Sequence, residues 1–317
     1  MTDTILYYVI PCFNEEEVLP ETAKRLLKKR EQLIRDEIIS EKSRILFVND
    51  GSSDSTWQMI RQLHRKNPAF SGLSLSRNRG HQNALLAGLL YAKDRADVTI
   101  SMDADLQDDI EASDEMLKKY EDGCDIVYGV RSSRDTDSAF KRGTARFFYR
   151  LMTGMGVEMV SDSADFRLMS RRALKGLAEF REVNLFLRGI VPMIGYRSDK
   201  VYYERAERFA GESKYPLRKM LNFSIEGITS LSVAPIRLIT NIGIFVFLVS
   251  IVMLVWGIVQ KLRGLTVQGW SSMMVSIWAI GGLILLSVGV VGEYVGKIYL
   301  EAKGRPRFLI DETLDTQ

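Results

Sequence analysis

The chain has 317 residues, 43 of them basic and 40 acidic, for a net charge of +3 with both histidines neutral; a balance this even excludes a nucleic-acid binder working through bulk positive charge. Charged residues are 26% of the whole, yet between residues 238 and 292 only Lys261 and Arg263 carry charge, and the remainder is about 31% charged. That split excludes both an ordinary soluble domain and a pure bundle of membrane helices, and describes a soluble body followed by a membrane tail.

Five short apolar runs read as strands buried on both faces: residues 6–11, 44–50, 73–76, 98–103 and 125–130. Helices are predicted between them at 16–35, 56–66, 83–94 and 111–121, from apolar residues at three-to-four spacing and from acids early and bases late in the turns. The alternation predicts an α/β fold built on a mostly parallel, nucleotide-binding sheet. Beyond Val130 the pattern predicts a helix from 139 to about 153, a strand at 164–170, a helix around 185–195 and a strand at 201–205. In 217–233, Leu217, Met220, Leu221, Ile225 and Ile228 share a helical face, suited either to a membrane interface or to packing on the soluble body.

Residues 238–260 and 273–292 hold 23 and 20 residues without a charge, each enough to cross ~30 Å of hydrocarbon at ~1.5 Å per residue. A buried hairpin in a soluble core is the weaker alternative. Arg218, Lys219 and Arg237 flank the first span and Lys297, Lys303, Arg305 and Arg307 follow the second, so the positive-inside rule puts both termini in the cytoplasm. The segment MTDTILYYVIP has no basic region before its apolar run and no cleavage site, so no signal peptide is expected. Cys12 and Cys124 supply neither a disulfide framework nor a metal-ligand spacing, which fits a reducing compartment. The expected organisation is a cytoplasmic transferase domain over 1–215, an interfacial amphipathic region over 216–236, a transmembrane hairpin over 237–297 and a cytoplasmic tail over 298–317.

Polar clusters follow the predicted strands: Pro11-Cys12-Phe13-Asn14-Glu15, Asn49-Asp50-Gly51-Ser52-Ser53-Asp54, Ser76-Arg77-Asn78-Arg79-Gly80, Asp103-Ala104-Asp105 and Gly129-Val130-Arg131. Any one of them alone is turn chemistry. Together they line the carboxyl ends of parallel strands, where such sheets bind ligands. Asp103 and Asp105, followed by Gln107, offer hard oxygens to Mg²⁺ or Mn²⁺ with substrate phosphates completing the shell. Asp108, Asp109 and Glu111 read as the acidic first turn of the next helix. Arg131, Arg134, Arg208 and Lys214 are candidates for anion binding, with Arg134 the one best read as a solvated surface base. His81 and His64 are the only histidines; His81 reads as a helix-start or loop contact and His64 as surface.

Through these clusters, and through Asp165-Phe166-Arg167-Leu168 and Arg208-Phe209-Ala210-Gly211-Glu212-Ser213-Lys214-Tyr215, the chain resembles family 2 glycosyltransferases of the polyprenyl-phosphate type, similar to bactoprenol glucosyltransferases and dolichol-phosphate mannose synthases. Nearly the whole chain is covered, and the two C-terminal spans resemble the bactoprenol branch. Asp109-Ile110 departs from the prolines usual in relatives. The resemblance implies a GT-A-like fold, with Pro11, Asn14, Glu15 and Asp50 on the uracil and ribose of a UDP-sugar. Asp103, Asp105 and Gln107 would hold a metal on its diphosphate, and Arg208 and Lys214 would assist there. Arg131 and Arg134 would serve the acceptor phosphate, with Asp105, Asp165 and Arg131 as the catalytic set. Asp165 would either orient a cation or the acceptor, or pin Arg167.

The implied activity is inverting transfer of one sugar, glucose or N-acetylglucosamine, from a UDP donor to polyprenyl (undecaprenyl) phosphate at the cytoplasmic membrane face, in cell wall glycosylation, by a homo-oligomer that binds no nucleic acid. GDP-mannose use and a non-catalytic membrane scaffold are the alternatives. A processive polysaccharide synthase needs more spans and a Gln-x-x-Arg-Trp motif, and neither is present.

Overall fold

Alternation along the first strand, β1 (Leu6–Cys12), sets the layers. Leu6, Tyr8 and Ile10 point into one core and Tyr7 and Val9 into the other, all of them buried. In the computed structural model, which describes residues 3–132, 163–183, 186–204, 232, 234–263 and 269–315, the remaining strands are β2 (Arg44–Asn49), β3 (Phe70–Leu75), β4 (Val98–Ser101), β5 (Ile126–Arg131), β6 (Ser163–Ser170), β7 (Ser198–Tyr203) and β8 (Ile310–Leu314). They form one sheet in the order β7-β5-β6-β4-β1-β2-β3-β8. β1 pairs in parallel with β2 and β4, β2 with β3 and β5 with β7, while β6 runs antiparallel between β4 and β5 and β8 antiparallel to β3. The mostly parallel α/β sheet is as expected.

Helices cover both faces. α1 (Leu19–Arg35), α2 (Thr56–Lys66) and α4 (Ser113–Glu121) send Leu19, Leu26, Leu33, Ile60, Met116 and Leu117 into one core. α3 (His81–Ala92), α5 (Arg171–Ala178) and α6 (Leu187–Met193) line the other with Leu86, Leu89, Leu174, Leu177, Ile190 and Val191. The fully buried Lys29 of α1 places its Nζ 2.6 Å from Glu111 and 2.8 Å from Asp114, tying α1 to the start of α4.

The five strands and four helices predicted before Val130 are all present, with ends shifted by a few residues: α3 begins at His81, not 83, and β3 at Phe70. Two elements had not been anticipated. α5 is a two-turn helix whose Ser170 cap accepts from the Ala173 N–H. β8 sits within the region read as a simple tail. The helices predicted at 139–153 and 217–233 lie outside the described residues.

α7 (Ala234–Leu262) and α8 (Trp270–Ala302) contain the candidate membrane spans Pro235–Met253 and Ala279–Ala302, neither of which is buried. Phe245, Val252, Leu285 and Leu286 are exposed. A core hairpin would bury such residues; among the described residues this apolar surface stays exposed, as that of a candidate membrane span would. α8 ends where Gly304, at φ +55, turns the chain in the left-handed region and Pro306 prevents resumption. The chain then enters the sheet as β8.

Candidate active site

Parallel pairing carries the polar loops after β1, β2, β3 and β4 to one edge of the sheet, and their own hydrogen bonds lace them together. Asn14, at φ +54, donates its backbone N–H to Ser52 Oγ at 3.0 Å, while its Oδ1 accepts from Ser53 N at 2.9 Å. Glu15 N–H donates to Thr56 Oγ1 at 2.9 Å. Asp50, only 2% exposed, accepts from the backbone N–H groups of Arg79 and Gly80 at 2.7 and 2.9 Å; burial pushes its pKa up against these two donors. Gly51 makes this closure possible: at φ +63, a Cβ there would lie 2.5 Å from the backbone of Arg77 and Asn78. Pro11 lies in β1 opposite Val48. These are the residues expected to face a nucleotide, and the structure brings them together.

Beyond β4 the chain turns sharply. Thr22 of α1 donates to the Ala104 carbonyl at 2.7 Å, Leu106 is held at φ +59, and Gln107 N–H donates to Asp105 Oδ1 at 3.2 Å. A buried leucine in the left-handed region is strained by roughly 1–2 kcal/mol, so the turn that presents Asp103, Asp105 and Gln107 is enforced by its surroundings.

Asp165 on β6 is the centre of a tight charge cluster. Arg167 donates to its Oδ1 at 2.7 Å, and Arg188 of α6 reaches both oxygens at 3.3 Å. His81 Nε2 lies 3.2 Å from its Oδ2 and 3.5 Å from Asp103 Oδ1. Burial alone would raise the Asp165 pKa, but Arg188, His81 and Arg167 hold it well below the usual carboxylate range. Enclosure opposes charge on His81, yet Asp103 and Asp165 lift its pKa to about 9. The main chain is tied in as well, with Ser101 Oγ donating to the Asp165 carbonyl at 2.6 Å. Asp165 therefore both pins Arg167 and orients two further cations beside Asp103.

Asp108 departs from the expected helix-start role. It is buried and accepts from Tyr203 of β7 at 2.6 Å, and burial, then Asp103, push its pKa to about 6. Asp109 does fit that role: it accepts from Glu111 N at the short 3₁₀ turn Ile110–Ala112. Arg131, the last residue of β5, stands beside Tyr203 and Asp108, and its Nε finds no partner among the described residues. Arg134, Arg208 and Lys214 lie outside the described residues. The sequence reads His81 only as a helix-start or loop contact, and it does open α3, but its place beside Asp165 and Asp103 is not legible there; Arg188 has no assigned role, its one signal being a lone arginine within the apolar run 185–191.

The profile of Glycosyl transferase family 2 matches residues 7–177. The chain belongs to this family. It is 53% identical to a Bacillus subtilis protein, the uncharacterized glycosyltransferase YkoT, over 97% of this chain and 91% of that one. It is 42% identical to the bactoprenol glucosyl transferase of Shigella phage SfX over 95% of this chain and 97% of its relative. A glucosyl-3-phosphoglycerate synthase from Mycobacterium tuberculosis, solved with Mn²⁺, uridine diphosphate and phosphoglyceric acid, is 16% identical over 72% of this chain and 77% of that chain, with a TM-score of 0.43.

In this glycosyltransferase, Asp165→Asn keeps the shape of the side chain but leaves the buried Arg167 without a charged partner, a loss of about 3–5 kcal/mol. Because the folded-state pKa is depressed, this stabilisation is present above the ordinary carboxylate pKa of ~3.9 and is lost as pH falls below it. Thermal unfolding should show a large gap between wild type and variant at pH 7 that narrows below pH ~4.

Proposed function

We propose that this enzyme transfers one sugar, with inversion, from a UDP-sugar to a polyprenyl phosphate at the cytoplasmic membrane face. The observation that carries this reading is the state of Asp165, a carboxylate beside the Asp103 motif that is held by three cationic side chains and is a poor proton acceptor. A hydroxyl acceptor needs a base to take its proton. A phosphate monoester has a second pKa of ~6 and is already a dianion near neutral pH. The match to a bactoprenol glucosyl transferase across nearly both full lengths favours glucose and a bactoprenol-type lipid phosphate, and the two apolar helices fit an acceptor that stays in the bilayer.

The residues fit a divalent ion. Asp103 and Asp105 supply hard oxygens, and Asp103 Oδ1 is buried without a hydrogen bond. No cluster of three protein ligands occurs among the described residues, which leaves most of a shell to diphosphate and water, as Mg²⁺ prefers. Bound there, such an ion would spread the charge that develops on the departing diphosphate. Asn14, Glu15 and Asp50 line the nucleotide side, with Asp50 acting through the loop amides it holds. Arg131 faces the acceptor phosphate, while Arg188 and His81, aimed by Asp165, neutralise repulsion between two anionic substrates and keep them in line.

Vesicles containing purified enzyme, undecaprenyl phosphate and a panel of UDP- and GDP-sugars should yield lipid-linked glucose from UDP-glucose. Asp105→Asn or excess EDTA should each lower turnover by ~10²-fold or more. Exclusive use of GDP-mannose would overturn the donor assignment, and turnover indifferent to both perturbations would overturn the metal. Arg131→Ala should raise the apparent KM for the lipid phosphate while calorimetric affinity for UDP stays near wild type; equal weakening of both would refute the division of labour.

A further inference from the structure

The tail after the second span is built into the catalytic edge itself. β8 runs antiparallel to β3 with Ile310 opposite Leu75 and Leu314 opposite Gly72, so the chain leaving α8 enters the sheet beside the carboxyl end of β3, where the nucleotide loops begin. Ser76 N–H donates to the Leu309 carbonyl at that point, at 3.0 Å. A second tie joins the end of α8 to the segment between α5 and α6. Val183 N–H donates to Glu301 Oε2 at 2.9 Å, and Arg307 donates to the Phe180 carbonyl at 2.6 Å. α6, a few residues further, carries Arg188 to Asp165.

The strand is secured from both sides by side chains of the body. Glu312 accepts from Trp57 Nε1 at 3.1 Å and pairs with Arg61. Asp315 accepts from the Tyr91 hydroxyl at 2.6 Å and pairs with Arg95. The second candidate span runs to Ala302, the last residue of α8, so only the short connection turned at Gly304 separates the apolar helix from β8.

We propose that residues 301–315 form a bracket that fixes the height and tilt of the catalytic edge over the bilayer, with Glu301, Arg307, Glu312 and Asp315 as positioning residues that decide whether a membrane-embedded acceptor phosphate reaches the site. The proposal rests on the lipid-phosphate acceptor assigned above. The side chains of Glu301, Arg307, Glu312 and Asp315 bond to Val183, Phe180, Trp57, Arg61, Tyr91 and Arg95, none of them assigned to donor, metal or acceptor, so they act on the presentation of the acceptor and leave the chemistry of a freely diffusing one unchanged.

The test uses the full chain in vesicles, with two double variants, Glu301→Ala with Arg307→Ala and Glu312→Ala with Asp315→Ala. Each is assayed on undecaprenyl phosphate in the bilayer and on a short, water-soluble prenyl phosphate. Transfer to the embedded acceptor should fall by ~10-fold or more, with transfer to the soluble one near wild type. A label-based readout stands apart from activity. Both native cysteines are buried, so a fluorophore on Arg77→Cys reports energy transfer to headgroup acceptors, which should weaken in both variants. Equal loss on both acceptors, or unchanged transfer and unchanged fluorescence, overturns the bracket. If wild type glycosylates neither acceptor, the functional reading has failed, and the fluorescence result alone still decides the bracket.

Discussion

A buried carboxylate surrounded by three cations organises the site. Asp165 would be costly in the interior if unpaired; with Arg167, Arg188 and His81 around it, it becomes the point where β6, α6 and α3 meet the Asp103–Asp105 turn after β4. Its backbone carbonyl is claimed by Ser101, so the strand pairing and the charge pairing secure the same residue. The chemical consequence follows from the same contacts that give the cluster its stability. A carboxylate that holds three cations in place cannot also be a ready proton acceptor, which is why we propose an acceptor that brings its own negative charge.

The geometry of the sheet delivers everything else to that point. Parallel strands put the loops of Asn14, Asp50, Arg79 and Asp103 on one edge, and the antiparallel β6 brings Asp165 to it from the opposite direction. The antiparallel β8 brings the end of the second apolar helix to this edge as well. The loops proposed for the donor, the cations proposed for the acceptor and the end of the second apolar helix therefore share one edge of the sheet, which suits the proposed joining of a water-soluble nucleotide-sugar to a phosphate anchored in lipid.

What could be read in the sequence is what local physics dictates. β1, β2 and β5 are largely apolar runs closed by polar turns, and the Asp103-Ala104-Asp105 turn is visible because it follows directly on a predicted strand, as the chain's other Asp-x-Asp, Asp135-Thr136-Asp137, does not. β8 escaped because it is an edge strand, Ile310-Asp-Glu-Thr-Leu314, half exposed and without a continuous apolar run. α5 has too few turns for a period to emerge. The rest of the site depends on partners far apart in the chain. Arg188 and His81 acquire meaning only when folding places them against Asp165, and Asp108 looks like a helix-start acid until Tyr203, 95 residues away, closes over it.

The claim that the acceptor phosphate supplies the nucleophile without a protein base meets its most direct test in the pH–rate profile of Asp165→Asn, measured from pH 6 to 9 at a temperature where the variant stays folded. The account predicts a rate reduced at every pH and nearly flat above the acceptor's own titration near ~6. Activity that is lost at pH 6 and recovers steeply toward pH 9 would show hydroxide replacing a missing base, and would contradict it.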